Sequence, residues 1–207
     1  MTEPEVRKVQ IPELVAHRGY PQHYPENTLV GIEAAIRAGA RYIEVDVQLS
    51  ADRVPVLFHD RTLDRLCRVP GTIHEFTREQ LKDFHVLEFE RFGYKFAQTP
   101  ITTLAELGAL LLRHPQVTAF IEIKRIAIEQ FGVATVLNRI LHALTPVAVQ
   151  CVLISYNFPI LLAARQQVYP RVGAILEKWR LQHSDEVLAM RPDFLFCDAA
   201  DLPRFGN

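Results

Sequence analysis

The chain has 207 residues, enough for one sizeable core, and its 49% hydrophobic and 23% charged residues are ordinary for a soluble globular protein. A formal net charge of −1 excludes a broad nucleic-acid-binding field and a polyacidic tail, while leaving room for a local Lys and Arg group that holds a phosphate. Cys67, Cys151 and Cys197 show no CxxC or zinc spacing, and Cys151 and Cys197 sit in apolar runs where Cys packs as a small hydrophobe; a reduced compartment fits best. The opening MTEPEVRKVQIPELVAHRG has no apolar leader, and no stretch nears the roughly 18 apolar residues of a membrane span. The expected location is therefore cytoplasmic.

Short apolar runs alternate with helical patterns, which predicts repeated βα units and a parallel sheet. Residues 14–16 read as a first strand ending at His17. After a Pro-rich turn, Asn27 or Thr28 caps a helix to about Ala38, which Gly39 stops. Residues 41–49 are the clearest strand: Ile43, Val45, Val47 and Leu49 face one way, and Glu44, Asp46 and Gln48 the other. Residues 54–58 read as a third strand delivering His59 and Asp60. The polar, aromatic-rich stretch 61–101 is too long for a simple βα loop and reads as an insertion subdomain over the barrel mouth. Thr103 and Glu106 have capping-box spacing for a helix to about Leu112. Residues 117–123 form a fourth strand, 129–144 a helix, and 149–155 a fifth strand. Asn157 and Pro159 open a helix to about Val168. Strands six and seven fall at 172–176 and 194–197.

This count gives seven strands and at most six full helices in a single domain, 1–207. A TIM (β/α)8 barrel needs an eighth strand and helix, and is typically about 250 residues long. The expectation is an α/β barrel with an insertion after strand 3 and without the eighth strand and helix. Either the chain is a truncated form of a protein about 40 residues longer, or another chain covers the gap.

In a parallel barrel the active site lies at the C-terminal ends of the strands. Strand one brings His17 and Arg18 there, strand two Glu44 and Asp46, strand three His59, and strand four Glu122 and Lys124. Consecutive strands are expected to be neighbours. Glu44 alone reads equally well as half of a structural ion pair. Three inward carboxylates, with two His and a Lys at strand ends, point instead to a metal site. Oxygen donors suit Mg2+ or Ca2+ better than zinc. His17 and His59 supply the acid and base that phosphodiester cleavage needs. Tyr156 reads equally as a pocket residue or a buried structural tyrosine. The remaining six histidines read as loop or surface residues.

Three blocks, AHRGYPQHYPENTL, YIEVDVQLSADRVPVLFHDRTLDR and FIEIK, resemble in order the hallmark segments of the glycerophosphodiester phosphodiesterase family. The resemblance runs from about Leu14 to Pro203. It implies a TIM barrel with an insertion after the third strand. It also implies hydrolysis of a glycerophosphodiester to an alcohol and glycerol 3-phosphate. On matching positions, His17 and His59 correspond to the catalytic acid/base pair, and Glu44, Asp46 and Glu122 to the metal ligands. Arg18 and Lys124 correspond to phosphate-contacting residues. Glu26 and Asn27 lie in the PENT-like segment, where Glu26 is expected to support the metal ligands. The family route has an internal glycerol hydroxyl attack phosphorus, and water opens the cyclic intermediate.

Two departures stand out. TPITTL carries its proline one place earlier than the family pattern, and the family's last strand and helix do not follow Pro203. The implied partner is a small-molecule glycerophosphodiester, without nucleic acid or a membrane span, and a homo-oligomer is left open. Two alternatives share the residues: a phospholipase-C- or sphingomyelinase-D-like enzyme releasing a cyclic phosphate, and a non-catalytic barrel that binds phosphorylated ligands.

Overall fold

A computed structural model describes residues 12–203. Residues 1–11, where the absence of a leader pattern was read, lie outside that range. The core is one curled sheet of seven strands: β1 (Val15–His17), β2 (Tyr42–Leu49), β3 (Pro55–Leu57), β4 (Thr118–Ile123), β5 (Cys151–Ser155), β6 (Val172–Ile175) and β7 (Phe194–Phe196). The order β1-β2-β4-β5-β6-β7 is parallel throughout, a TIM-like α/β half-barrel. Among the described residues β1 and β7 do not pair with each other.

Alternation along the strands divides the interior in two. Ile43, Val45, Val47 and Leu49 of β2 share the outer core with Ala119, Ile121 and Ile123 of β4, Leu153 of β5 and Val172 of β6. The helices α1 (Leu29–Arg37), α5 (Leu104–Leu112), α7 (Val133–Leu144) and α8 (Phe158–Gln166) close over that face. Each fully buried Leu or Ile there stabilises the fold by roughly 1.5–3 kcal/mol before ordering costs. The opposite face carries Phe120, Val152, Ile154 and Ile175, packed with Tyr42, Phe194 and Phe196 as an apolar floor. Glu44 and Asp46 of β2 and Glu122 of β4 follow that floor toward the end of the sheet where β1 and β4 stop.

The element β3 corrects the sequence reading. It is antiparallel to β2, with Val47 opposite Leu57 and Leu49 opposite Pro55, so six strands, not seven, make the parallel wall. Strands β2 and β4 are therefore direct neighbours, and the expected run of four consecutive barrel strands does not exist. The short connection from β2 already excludes the parallel sense, which needs a crossover of about a dozen residues or more, but the strand's own run, Pro-Val-Leu, gives no direction. Its apolar residues fit either sense, and the tight Asp52-Arg53 turn returns the chain along β2, with Arg53 at φ 64°. Val47 pairs with Ile123 on one edge and Leu57 on the other. Hence β1 and β3 lie end to end along the same edge of β2.

Residues 61–101 contain α2 (Asp64–Cys67), α3 (Arg78–Leu81) and α4 (Phe89–Phe92), with a 3-10 turn at Ile73–Glu75. Leu63, Leu66, Ile73, Leu81, Val86 and Ile101 form a separate small core with Val56 and Phe58. Thr103 and Glu106 form the expected capping box of α5. Thr28, rather than Asn27, caps α1 by accepting from the Gly31 amide.

The helix expected at 129–144 is two: α6 (Arg125–Phe131) and α7, bent by 117° about Gly132, whose φ of +76° an L-residue adopts only at a cost. Residues 145–150 form a 3-10 turn, so β5 begins at Cys151 rather than at residue 149. Helix α8 ends at Gln166, and Val168, with φ at +60°, has already left the helical path. A short helix, α9 (Asp185–Met190), capped by Ser184, escaped notice because only Val187 and Met190 of its residues are buried. Among the described residues no single helix is long and apolar enough to cross a membrane.

Candidate active site

The parallel wall delivers its polar residues to one end. In register, His17 stands opposite Glu44, and Asp46 opposite Glu122. Oxygens of Glu44, Asp46 and Glu122 all lie within 4.8 Å of one another. Glu44 is 6% exposed and Asp46 fully buried. Bringing three carboxylates together in that setting is unfavourable. Burial, and then the Asp46 and Glu122 charges, hold the Glu44 carboxyl well above its ordinary range. Burial likewise raises Glu122, with Lys124 opposing.

Their partners are specific. The Lys124 ammonium donates to Asp46 Oδ1 at 3.1 Å and Glu122 Oε1 at 2.9 Å. Burial acts to lower Lys124, but those two acids outweigh it and raise its pKa. Arg18, in the left-handed region at φ 55°, donates its backbone N–H to Glu44 Oε2 at 3.2 Å. Its guanidinium stands 3.1 Å from both Asp46 Oδ2 and Glu26 Oε1. His17 Nε2 is 3.6 Å from Glu44 Oε2. Partial burial and then Arg18 lower the His17 pKa, against the pull of Asp46 and Glu26.

Asn27, at φ 56°, clasps Asp46: its Nδ2 donates to Asp46 Oδ2 at 2.9 Å, and its Oδ1 accepts the Asp46 backbone N–H at 3.0 Å. The second bond fills the position on the β2 edge where β1 has ended and β3 has not begun.

His59 follows β3. Its Nδ1 lies 2.8 Å from Asp60 Oδ1, leaving Nε2 as the free ring nitrogen. Arg65 donates to Asp60 at 2.6 and 2.9 Å and to Glu26 at 2.8 and 3.1 Å. Burial alone would raise Asp60, but the Arg65 and His59 hydrogen bonds bring its carboxyl down to about 2. Gln48 donates to the Phe58 and Asp60 carbonyls at 3.0 and 2.7 Å, tying the His59 turn to β2. A cleft of about 460 Å³ opens beside these groups, lined by His59, Arg61, Glu122, Lys124, Arg125 and Tyr156.

Thus His17, Arg18, Glu44, Asp46, His59, Glu122 and Lys124 gather at one end of the sheet. Tyr156 stands on the cleft wall, 38% exposed, and stacks under Arg125 instead of reaching the carboxylates. Sequence reasoning missed three supports: the Asn27 clasp, Arg65, and Glu88. Arg65 lies in the DRTLDR block, five residues after Asp60, a spacing that could have suggested the pair. Glu88 is buried, left-handed at φ 43°, and accepts the Glu26 backbone N–H at 2.6 Å; nothing local in LEFERF announces it.

Two groups of acids could hold a cation among the described residues. The group Glu26, His59 and Asp60 is already neutralised by Arg18 and Arg65. In the group Glu44, Asp46 and Glu122, Glu44 Oε1 is buried without a hydrogen-bond partner, and three acids face two basic side chains, one of them shared with Glu26. An unpaired buried carboxylate oxygen and an all-oxygen donor set fit a hard divalent cation.

Residues 17–152 match the model of the glycerophosphoryl diester phosphodiesterase family. The chain belongs to this family. It is 30% identical over 173 residues to glycerophosphodiester phosphodiesterase 1 of Bos taurus, covering 83% of this chain and 51% of the relative. It thus spans about half the length of that relative. Against the glycerophosphoryl diester phosphodiesterase domain of a Mycobacterium tuberculosis protein it is 30% identical with a TM-score of 0.64, over 79% of this chain and 60% of that one. A phosphodiesterase of Oleispira antarctica, solved with the product sn-glycerol-3-phosphate, shares the fold at a TM-score of 0.80 and 24% identity, over 93% of this chain and 77% of that one.

Proposed function

We propose that the chain hydrolyses glycerophosphodiesters to an alcohol and glycerol 3-phosphate at this site, with a divalent cation held by Glu44, Asp46 and Glu122. The observation that carries the reading is the convergence of three carboxylates, flanked by two histidines, at the C-terminal ends of β1, β2 and β4. When bound there, Mg2+ or Ca2+ supplies Lewis-acid polarisation of a phosphoryl oxygen. Arg18 and Lys124 bind and orient the phosphodiester, their positive charges offsetting the negative charge on the phosphoryl oxygens in the transition state. His17 and His59 act as the acid/base pair. The bond between Asp60 and Nδ1 presents His59 to the cleft through Nε2, from which it exchanges a proton with an oxygen of the diester. His17, beside Glu44, serves the other side. Tyr156 forms part of the wall for the alcohol group. Residues 61–101 act as an insertion subdomain whose Arg65 and Glu88 brace Glu26 and, through it, Arg18.

Glu44→Ala and His17→Ala are each expected to abolish release of glycerol 3-phosphate from glycerophosphodiesters, and a chelator to do so reversibly. Full activity of either variant would overturn the assignment. Phosphorus NMR of the products reads the outcome directly: a persistent cyclic phosphate in place of glycerol 3-phosphate would make the chain a phospholipase-C-like enzyme.

A further inference from the structure

The outer part of the cleft has its own chemistry. Arg61, just past the His59 turn, and Arg125, the first residue of α6, both line it, next to Lys124. Of the inner acids of the cleft, Asp60 is paired with Arg65, and Glu122 faces Lys124 and the proposed cation. The partners of the two outer arginines are more exposed. Arg61 Nη2 donates to Glu129 at 3.1 Å with side chains 67% and 60% exposed, and Arg125 Nη2 donates to Glu177 at 2.7 Å with side chains 51% and 59% exposed. Ion pairs this open to water hold weakly, so either guanidinium can exchange its Glu for another anion at little cost. Guanidinium also suits phosphate and carboxylate, which it binds with two parallel hydrogen bonds.

The aromatic group of the cleft points the same way. A tyrosine beside acids is the usual setting for a quaternary ammonium ion, which sits over the ring face. Here Arg125 Cζ lies 5.0 Å from the Tyr156 ring centroid and takes that position itself. A choline group would have to displace the guanidinium and then stand beside Arg61 and Lys124.

We infer that Arg61 and Arg125 make this cleft select glycerophosphodiesters whose alcohol carries a second anionic group, against those with a cationic alcohol. The inference rests on the hydrolase reading above for the position of the phosphodiester. The test compares glycerophosphoinositol 4-phosphate, glycerophosphoinositol and glycerophosphocholine. The first two differ by one phosphate on the same ring.

In low salt, kcat/KM is expected to fall in that order, by roughly three- to tenfold at each step. Arg125→Gln and Arg61→Gln should each narrow the first ratio, and so should added salt, which screens exposed charges. A second readout does not need turnover: calorimetric Kd values for the two inositol diesters on chelator-treated protein, where the 4-phosphate should bind more tightly. Equal kcat/KM and equal Kd for that pair would overturn the inference and leave the hydrolase reading standing. A binding preference lost in Arg125→Gln, with no diester turned over, would support the inference as a binding preference and remove the hydrolase reading. Absence of both binding and turnover would remove both.

Discussion

At the scale of single residues, the site is a set of charges kept in place by neutral or opposite partners. The Asn27 amide makes two hydrogen bonds to one buried acid, and its removal leaves Asp46 with an unpaired backbone N–H and a carboxylate oxygen served by Arg18 alone. Asn27→Ala is expected to lower stability by about 1–3 kcal/mol, measured by urea unfolding, because buried groups left unsatisfied lose more than a net hydrogen bond. Asp60 sets a pH dependence. Its folded pKa of about 2 lies below the ordinary 3.8, so its contribution is complete above the ordinary value and is lost as pH falls through about 2. Asp60→Asn should therefore flatten the stability profile between about pH 4 and pH 2. An unaltered acid limb would show that Arg65 and His59 do not hold the carboxylate as described.

Much of the candidate site's composition was legible at this scale. Glu44, Asp46 and Glu122 break the pattern of strongly apolar strands, and His17 and His59 follow such runs directly. Asn27 and Glu88 were not, because their roles depend on partners 19 and 62 residues away and on left-handed backbone that no neighbouring residue demands.

At the scale of elements, caps and alternation were readable from side-chain spacing, and the direction of β3 from the length of its connection, a signal the strand-by-strand reading passed over. Thr103 with Glu106, and Asn157 with Pro159, form the helix starts their spacing announces, since each motif satisfies orphan amides locally. The sense of β3 follows from its short connection to β2, which permits a hairpin and not a parallel crossover, and the edge it takes is the one left open beyond β1. The break between α6 and α7 had a signal in Gly132, overridden by a continuous apolar pattern on both sides. An added Cβ at Gly132 would meet no atom within 4 Å, so the cost of substitution there is conformational and not steric. Gly132→Ala is expected to destabilise by about 1–3 kcal/mol, read as a lower thermal midpoint with the unfolding cooperativity retained. A substitution without effect would mean that the bend relaxes.

At the scale of the whole molecule, the acid triad is a local instability that ligand binding can relieve. In metal-free protein, Glu44→Gln removes a carboxyl whose charged form burial and the neighbouring acids disfavour, and is expected to raise the melting temperature. In the wild-type protein, millimolar Mg2+ or Ca2+ should raise the melting temperature in a concentration-dependent way, since a ligand that binds only the folded state stabilises it by mass action. The variant should lose most of that rise. A wild-type melting temperature indifferent to both ions and to a chelator would leave the triad without its proposed cation.

The antiparallel return of β3 ties these scales together. Glu44, Asp46 and His59 lie within one unbroken stretch of chain folded back on itself, and the Phe58 amide donates to the Asp46 carbonyl at 2.9 Å. Two of the three carboxylates and one of the two histidines of the candidate site are thus joined by a hairpin as well as by the sheet. Slow hydrogen exchange should see that hairpin as a single opening unit: the fluctuation that exposes the Phe58 amide also separates His59 from the carboxylates. Opening that hairpin would take Glu44, Asp46 and His59 out of register together, while His17 on β1 and Glu122 on β4 are held by other strands.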